Sequence, residues 1–245
     1  MDLPIRVMGS QALIEFRNAL KLAESLADID RDNYNSNPRI AEQQAVQALR
    51  GGATVLMVAA FEQFLRDMLV EHLDTLSSHK PPIELKHLPQ DMRVNLVYSN
   101  LDWAMRGKPY EPTKQKADRL EDIDKVCRNI LAEQFNNEVF GDVGGNPNAA
   151  RIKNMYKKIG TTNIFAFMRY DFDKKWKKPE TQRFLEDKIN EIVERRHIVA
   201  HTANALNIGR ADLRGWLRFL RVFSKTLDNV TGRIITKIIK DAYPS

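Results

Sequence analysis

Cysteine is almost absent from this chain, and that removes two kinds of site at once. Cys127 is the one cysteine among 245 residues, so no internal disulfide can form, which suits a reducing compartment. With no second thiol and no ladder of Cys and His, a structural zinc site also lacks ligands. Long apolar runs are missing too: no stretch of 18 or more apolar residues occurs, so no helix is expected to cross a membrane. The opening MDLPIRVMGSQAL has no basic flank leading into an apolar core and a small-residue cleavage site, so no signal peptide is expected. Internal repeats, low-complexity tracts and strand-length alternation are absent as well. These absences lead to the expectation of a cytoplasmic protein with no membrane partner, no metal and no cofactor.

What remains has the composition of a folded globular protein, 43% hydrophobic and 29% charged. The formal net charge of +6 is a moderate excess that suits a polyanionic partner without demanding one.

Helical periodicity dominates the chain. Leu13, Phe16, Leu20 and Ala27 recur on one face over 10–30, with Ser10 placed to cap that helix, and the turn formers of DNYNSNP end it. A long second helix is expected over 39–76, carrying the most apolar patch, ATVLMVAAFEQFLRDMLVEHL. Gly51 and Gly52 inside it imply a kink or a close helix crossing, and the prolines of SSHKPP stop it. Further helices are expected over 91–105 and 114–136. GDVGGNPNAA reads as a loop, after which Asn148 caps a short helix through Ile159. Two helices close the chain, at 179–203 with Pro179 in the first turn and at about 209–241. The expectation is one all-α domain over 1–245, with core helices at about 10–76 and 180–241 and an insertion-like middle at about 88–178.

One segment concentrates chemistry. VERRHIVAHTANAL places Arg195, Arg196, His197 and His201 within seven residues. His197 and His201 are four apart and share a helix face, whereas Arg196 and His201 lie about 140° apart around an ideal helix. The two could still flank one anion if the helix frays after His201, and turn-prone Thr202, Asn204 and Asn207 ahead of Gly209 favour fraying. A neutral imidazole can take a proton from a 2′-hydroxyl and a charged one can return it to a leaving oxygen. A guanidinium matches a phosphate and stabilises charge developing there. The bland alternative is a helix end that gathers cations for its dipole alone, worth about 0.3–1 kcal/mol each. A metal-dependent hydrolase is a weaker reading, since two histidines with no third ligand nearby make no site.

Two other features carry a choice of readings. Glu62 sits in the apolar stretch VAAFEQFL, where a carboxylate needs a reason. It either orients Arg195 or Arg196, or it forms an ordinary i,i+4 pair with Arg66. RYDFDKKWKK interleaves Tyr170, Phe172 and Trp176 with Lys174, Lys175, Lys177 and Lys178. It serves either as an RNA-docking surface or as solvated lysines around anchored aromatics. RIKNMYKKIG, at 151–160, is a weaker version of the same pattern, and His72, His79 and His87 suggest no role.

The segment ERRHIVAHT resembles the signature of the HEPN superfamily: an arginine, four to six intervening residues, then a histidine, with a polar residue directly after the arginine. Arg196 and His201 fit the four-residue spacing with His197 in the polar place, and Arg195 gives a five-residue register. VLMVAAFEQFLRDMLVEHL is similar to a helix of two larger bacterial HEPN groups, one of them named for its association with RiboL-PSP proteins. The likeness covers roughly 40–76 and 180–240 and leaves the middle third uncovered.

The resemblance implies a helical bundle that pairs with a second copy, two motif histidines facing each other across a shared cleft. It implies a metal-independent endoribonuclease acting as a toxin or antiviral effector, with an antitoxin or defence-system partner. Arg196 would then contact the scissile phosphate, His201 would act as general acid and base, and His197 would orient one or the other. The family also holds members without catalysis, so a helical module that binds RNA or protein is the alternative.

Overall fold

The computed structural model describes residues 9–108, 111–134, 136–141, 145–203, 205 and 207–244. Parts of four sequence readings lie outside them: the opening 1–8, position 135, loop residues 142–144, and Asn204 and Leu206 of the fraying tail. Among the described residues there are eight α-helices and no strand. They run α1 (Gln11–Asn33), α2 (Gln43–Ser77), α3 (Gln90–Arg106), α4 (Asp118–Leu131), α5 (Ala149–Lys158), α6 (Ile164–Trp176), α7 (Gln182–Thr202) and α8 (Arg210–Ala242).

The apolar patch of α2 dictates the arrangement. A helix apolar on most of its circumference must be surrounded, and α2 is packed by α1, α7 and α8. Phe61 and Phe64 at its middle meet Phe16 of α1, and Phe61 also meets Phe223 of α8 edge-on, with ring centroids 5.8 Å apart. The α8 stripe of Leu213, Trp216, Leu217, Leu220, Phe223 and Leu227 is wholly buried within the chain.

Local signals set the ends. The side chains of Ser10, Asn148 and Thr181 accept the backbone N–H of Leu13, Arg151 and Phe184 at 3.1, 2.9 and 3.0 Å, capping α1, α5 and α7. The capped start of α7 falls after Pro179, which lies outside the helix. The expected helix at 114–136 shortens to α4, which buries none of its residues and packs on α3. The lysine-rich 169–178 stretch is mostly helix, in α6, whose Phe165, Met168 and Phe172 enter the core. The middle third therefore contributes Ile152, Met155 and Tyr156 of α5 as well as α6 to the same core cluster as α2 and α8.

The glycine pair resolves as a close crossing. α2 runs unbroken through Gly51 and Gly52. A Cβ on Gly51 would lie 3.1 Å from Val199 Cγ1 of α7 and 3.3 Å from Ala205 Cβ, and one on Gly52 would lie 3.2 Å from Leu26 Cδ1 of α1. The missing side chains let α7 and α1 approach α2 from two sides.

Candidate active site

Val199, seated on Gly51, fixes the end of α7 against α2 and turns the opposite face outward. His197, Ala200 and His201 are exposed on that face, with Ile198 at its edge. The rings of His197 and His201 lie 4.3 Å apart between centroids, tilted by 56°. Four-residue spacing on one helix produces this pairing directly.

Arg196 turns toward Asn146, which borders the same depression as His197. Its Nη1 donates to Asn146 Oδ1 at 2.8 Å, and its Nε is buried without a hydrogen-bond partner among the described residues. Asn146 sits in the loop before α5, fifty positions away in sequence, so only the tertiary fold brings it to the guanidinium. Arg195 is half-buried. The shallow depression beside His197 is lined by Asn146, Asn148 and Asn190, together with the carboxylates of Asp187, Glu191 and Glu194.

α7 keeps helical hydrogen bonding to its end, through Thr202. Ala203 then adopts the left-handed conformation at φ 52°, and its N–H donates to the Val199 carbonyl at 2.9 Å. Gln47 Nε2 of α2 donates to the Ala203 carbonyl at 2.6 Å. Helical structure thus continues one residue past His201, to a terminus tied to α2 through Ala203, while Asn204 and Leu206 of the expected fraying tail lie outside the described residues.

Near the start of α8 lies a buried ion network that sequence reading missed. Asp30 at the end of α1 is fully buried and receives Arg50 Nε of α2 at 3.1 Å and Arg210 Nε of α8 at 2.9 Å. Arg50 Nη1 also donates to the Ile208 carbonyl at 2.9 Å, in the α7–α8 connection. Burial pushes the Asp30 carboxyl up, but Arg210 and Arg50 outweigh it and hold the group below the usual carboxylate range.

The supporting residues separate. Glu62 lies 3.7 Å from Arg66 on its own helix. It sits about 16 Å further along α2 than the Gly51 crossing, so among the described residues it forms the i,i+4 pair and is not brought to Arg196. Lys174 is exposed with Nζ 4.1 Å from the Tyr170 ring centre. Lys175 is half-buried, its Nζ donating to Thr226 Oγ1 at 3.4 Å, and exposed Lys177 closes α6 in the left-handed conformation.

Two members of that run are already engaged within the chain. Trp176 is not an open stacking plane: it packs with Phe172, Phe184 and Phe219 beneath the Arg218 guanidinium. Lys178 is drawn to Glu180 at 3.2 Å. In the 151–160 run, Ile152, Met155 and Tyr156 face the core and Lys153 pairs with Glu186.

Elsewhere, His72 of α2 has a structural role: its Nε2 lies 2.9 Å from the Asp228 carboxylate of α8, which also accepts the Ser10 N–H at 3.2 Å. A groove of about 510 Å³ beside α1 and α2 is lined by Glu15, Asp67, Glu71, Asp74 and Glu138 against Arg66 and Lys108, an excess of carboxylates that disfavours phosphate. Among the described residues no three His, Cys, Asp or Glu side chains converge as a metal-holding group.

Comparison with protein families gives a match to the family described as RiboL-PSP-HEPN, over residues 16–232. Neither the curated proteins nor the solved structures contain a significant match.

Proposed function

The chain belongs to the RiboL-PSP-HEPN family, and from that membership and the chemistry of α7 we propose that it is an endoribonuclease cutting single-stranded RNA. The observation that carries the reading is the exposed imidazole pair of His197 and His201, one and five positions after Arg196, at the end of a helix fixed to the core. The whole chain acts as one domain in this reading, and two copies meet across the exposed α7 face. The α8 stripe is consumed by the core of each copy, so the partner must meet another surface.

In the proposed reaction, one His201 imidazole takes the proton of a 2′-hydroxyl. The oxygen then attacks the adjacent phosphorus, and the bond to the departing 5′-oxygen breaks. The His201 imidazolium of the second copy returns a proton to that oxygen, leaving a 2′,3′-cyclic phosphate and a 5′-hydroxyl. Arg196 stabilises the charge gathering on the phosphoryl oxygens, and His197 orients His201 or the phosphate. No metal is needed for these proton transfers. A toxin or antiviral role, with an antitoxin or defence-system partner in the cytoplasm, rests on the family resemblance alone.

The test is cleavage of total RNA in EDTA by purified protein. Wild type cuts, whereas His201→Ala has no activity while keeping its helical circular dichroism. An inactive wild-type dimer, or an equally active His201→Ala protein, overturns the proposal. RNA binding without turnover would assign the chain to the family's non-catalytic members.

A further inference from the structure

The exposed face of α7 is poorly equipped to hold a polyanion by itself. Asp187, Glu191 and Glu194 share the depression beside His197. The cations gather on a different face, where α1, α6 and α8 border a groove of about 640 Å³. Arg17 and Lys21 enter it from α1, Lys174, Lys175 and Lys177 from α6, and Arg221 and Lys225 from α8, against the single carboxylate of Glu24. Glu24 is already paired with Arg221.

This convergence opposes stability. Arg17 with Lys21, and Arg221 with Lys225, are like charges at i,i+4, a spacing that weakens a helix. On α3, α4 and α7 the same spacing joins opposite charges, as in Asp102–Arg106, Asp124–Arg128 and Arg183–Asp187. Burial above all, with the nearby charges of Lys225 and Arg233, outweighs the Asp171 and Asp228 carboxylates and pulls the Lys175 ammonium below its usual pKa. An anion in the groove would relieve both strains.

Aromatic surface adjoins the groove. Phe167, Tyr170 and Lys174 fall at i, i+3 and i+7 on α6. Phe167 and Tyr170 are 55% and 68% exposed, unusual for such side chains, and Lys174 lies over the Tyr170 ring. Flexible cations beside open aromatic planes suit a single strand, whose backbone is tracked by charge while its bases stack.

We propose that the α1–α6–α8 groove holds the phosphodiester backbone of single-stranded RNA, with Tyr170 and Phe167 as stacking planes. It is a docking site separate from the α7 motif. The inference takes its choice of polyanion from the endoribonuclease reading. It replaces Trp176 and Lys178 of the sequence expectation with Tyr170, Arg17, Lys21 and Lys225.

Fluorescence anisotropy tests it, using a labelled unstructured RNA of about 16 nucleotides and full-length His201→Ala protein, so that the probe stays intact. Adding Lys21→Glu and Lys225→Glu together should weaken binding at least tenfold and flatten the dependence of log affinity on log salt by about 1.4 for two lost phosphate contacts. Lys21→Arg with Lys225→Arg should bind as the parent does, and Tyr170→Ala should lose fivefold or more. Lys174→Glu provides a second charge reversal if the double variant misfolds. RNA affinity and salt slope unchanged by the reversals would overturn the groove, as would reversal-sensitive binding of polyglutamate or anionic vesicles in place of RNA. Cleavage by wild type is scored separately, so failure of the nuclease reading is distinguishable from failure of the groove.

Discussion

Arg196 illustrates how a motif residue depends on neighbours that its own segment does not supply. One arm of its guanidinium is held by Asn146 and its Nε is buried, so its aim is set by the loop before α5. Lysine, a point charge on a flexible stem, cannot hold the asparagine and serve a phosphate in the same fixed fork. Arg196→Lys should therefore cut RNA about 100-fold more slowly or worse, measured as single-turnover cleavage with protein in excess.

Asp30 carries a prediction of stability. Its carboxyl is held below the usual range in the fold, so its contribution is fully present above the unfolded-chain value of about 4. That contribution is lost as pH falls through the lower folded value. Asp30→Asn should cost about 3–5 kcal/mol at neutral pH by stranding Arg50, and the penalty should shrink in denaturant titrations repeated at progressively acidic pH. The spacing of Arg196, His197 and His201 was readable from the chain. Asn146 and Asp30 were not, because their partners are set by contacts between distant segments and no local pattern marks them.

Among the elements, the crossing of α7 on α2 decides where the histidines stand. The paired glycines were legible as a kink or a crossing, and packing chose the crossing because Val199 and Ala205 occupy the space a side chain would need. Gly51→Leu should destabilise the protein by about 1–3 kcal/mol in urea unfolding, with a loss of RNA cutting among the molecules still folded. Gly215 of α8 is the control: a Cβ there meets nothing within 4 Å. Gly215→Ala should raise stability by about 0.4–1 kcal/mol. Caps at Ser10 and Asn148 were legible from residue type. The start of α7 was not, since Thr181 outcompeted Pro179 as its boundary. Of the tail after His201, Gln47 holds the Ala203 carbonyl and Arg50 the Ile208 carbonyl, two contacts from α2 that the segment read alone does not reveal.

At the scale of the molecule, α2 is the axis around which α1, α7 and α8 assemble, and the long apolar patch in the sequence announced it. The middle third was harder to place. Its α5 and α6 share the core while α4 meets it only through half-buried Ile130, a division that charge-rich helical patterns do not reveal. The proposed chemistry needs two copies, so sedimentation should give a dimer at micromolar concentration; a monomer would count against a shared active site.

The proposed cleavage at α7 depends on the substrate's own 2′-hydroxyl. One single-stranded oligonucleotide and its fully 2′-O-methylated counterpart, incubated side by side with wild-type protein in EDTA and resolved by mass spectrometry, test it most directly. Fragments ending in 2′,3′-cyclic phosphate are expected from the first, and the second should stay intact. An uncut ribo-oligonucleotide, or cleavage of the methylated one, would contradict it.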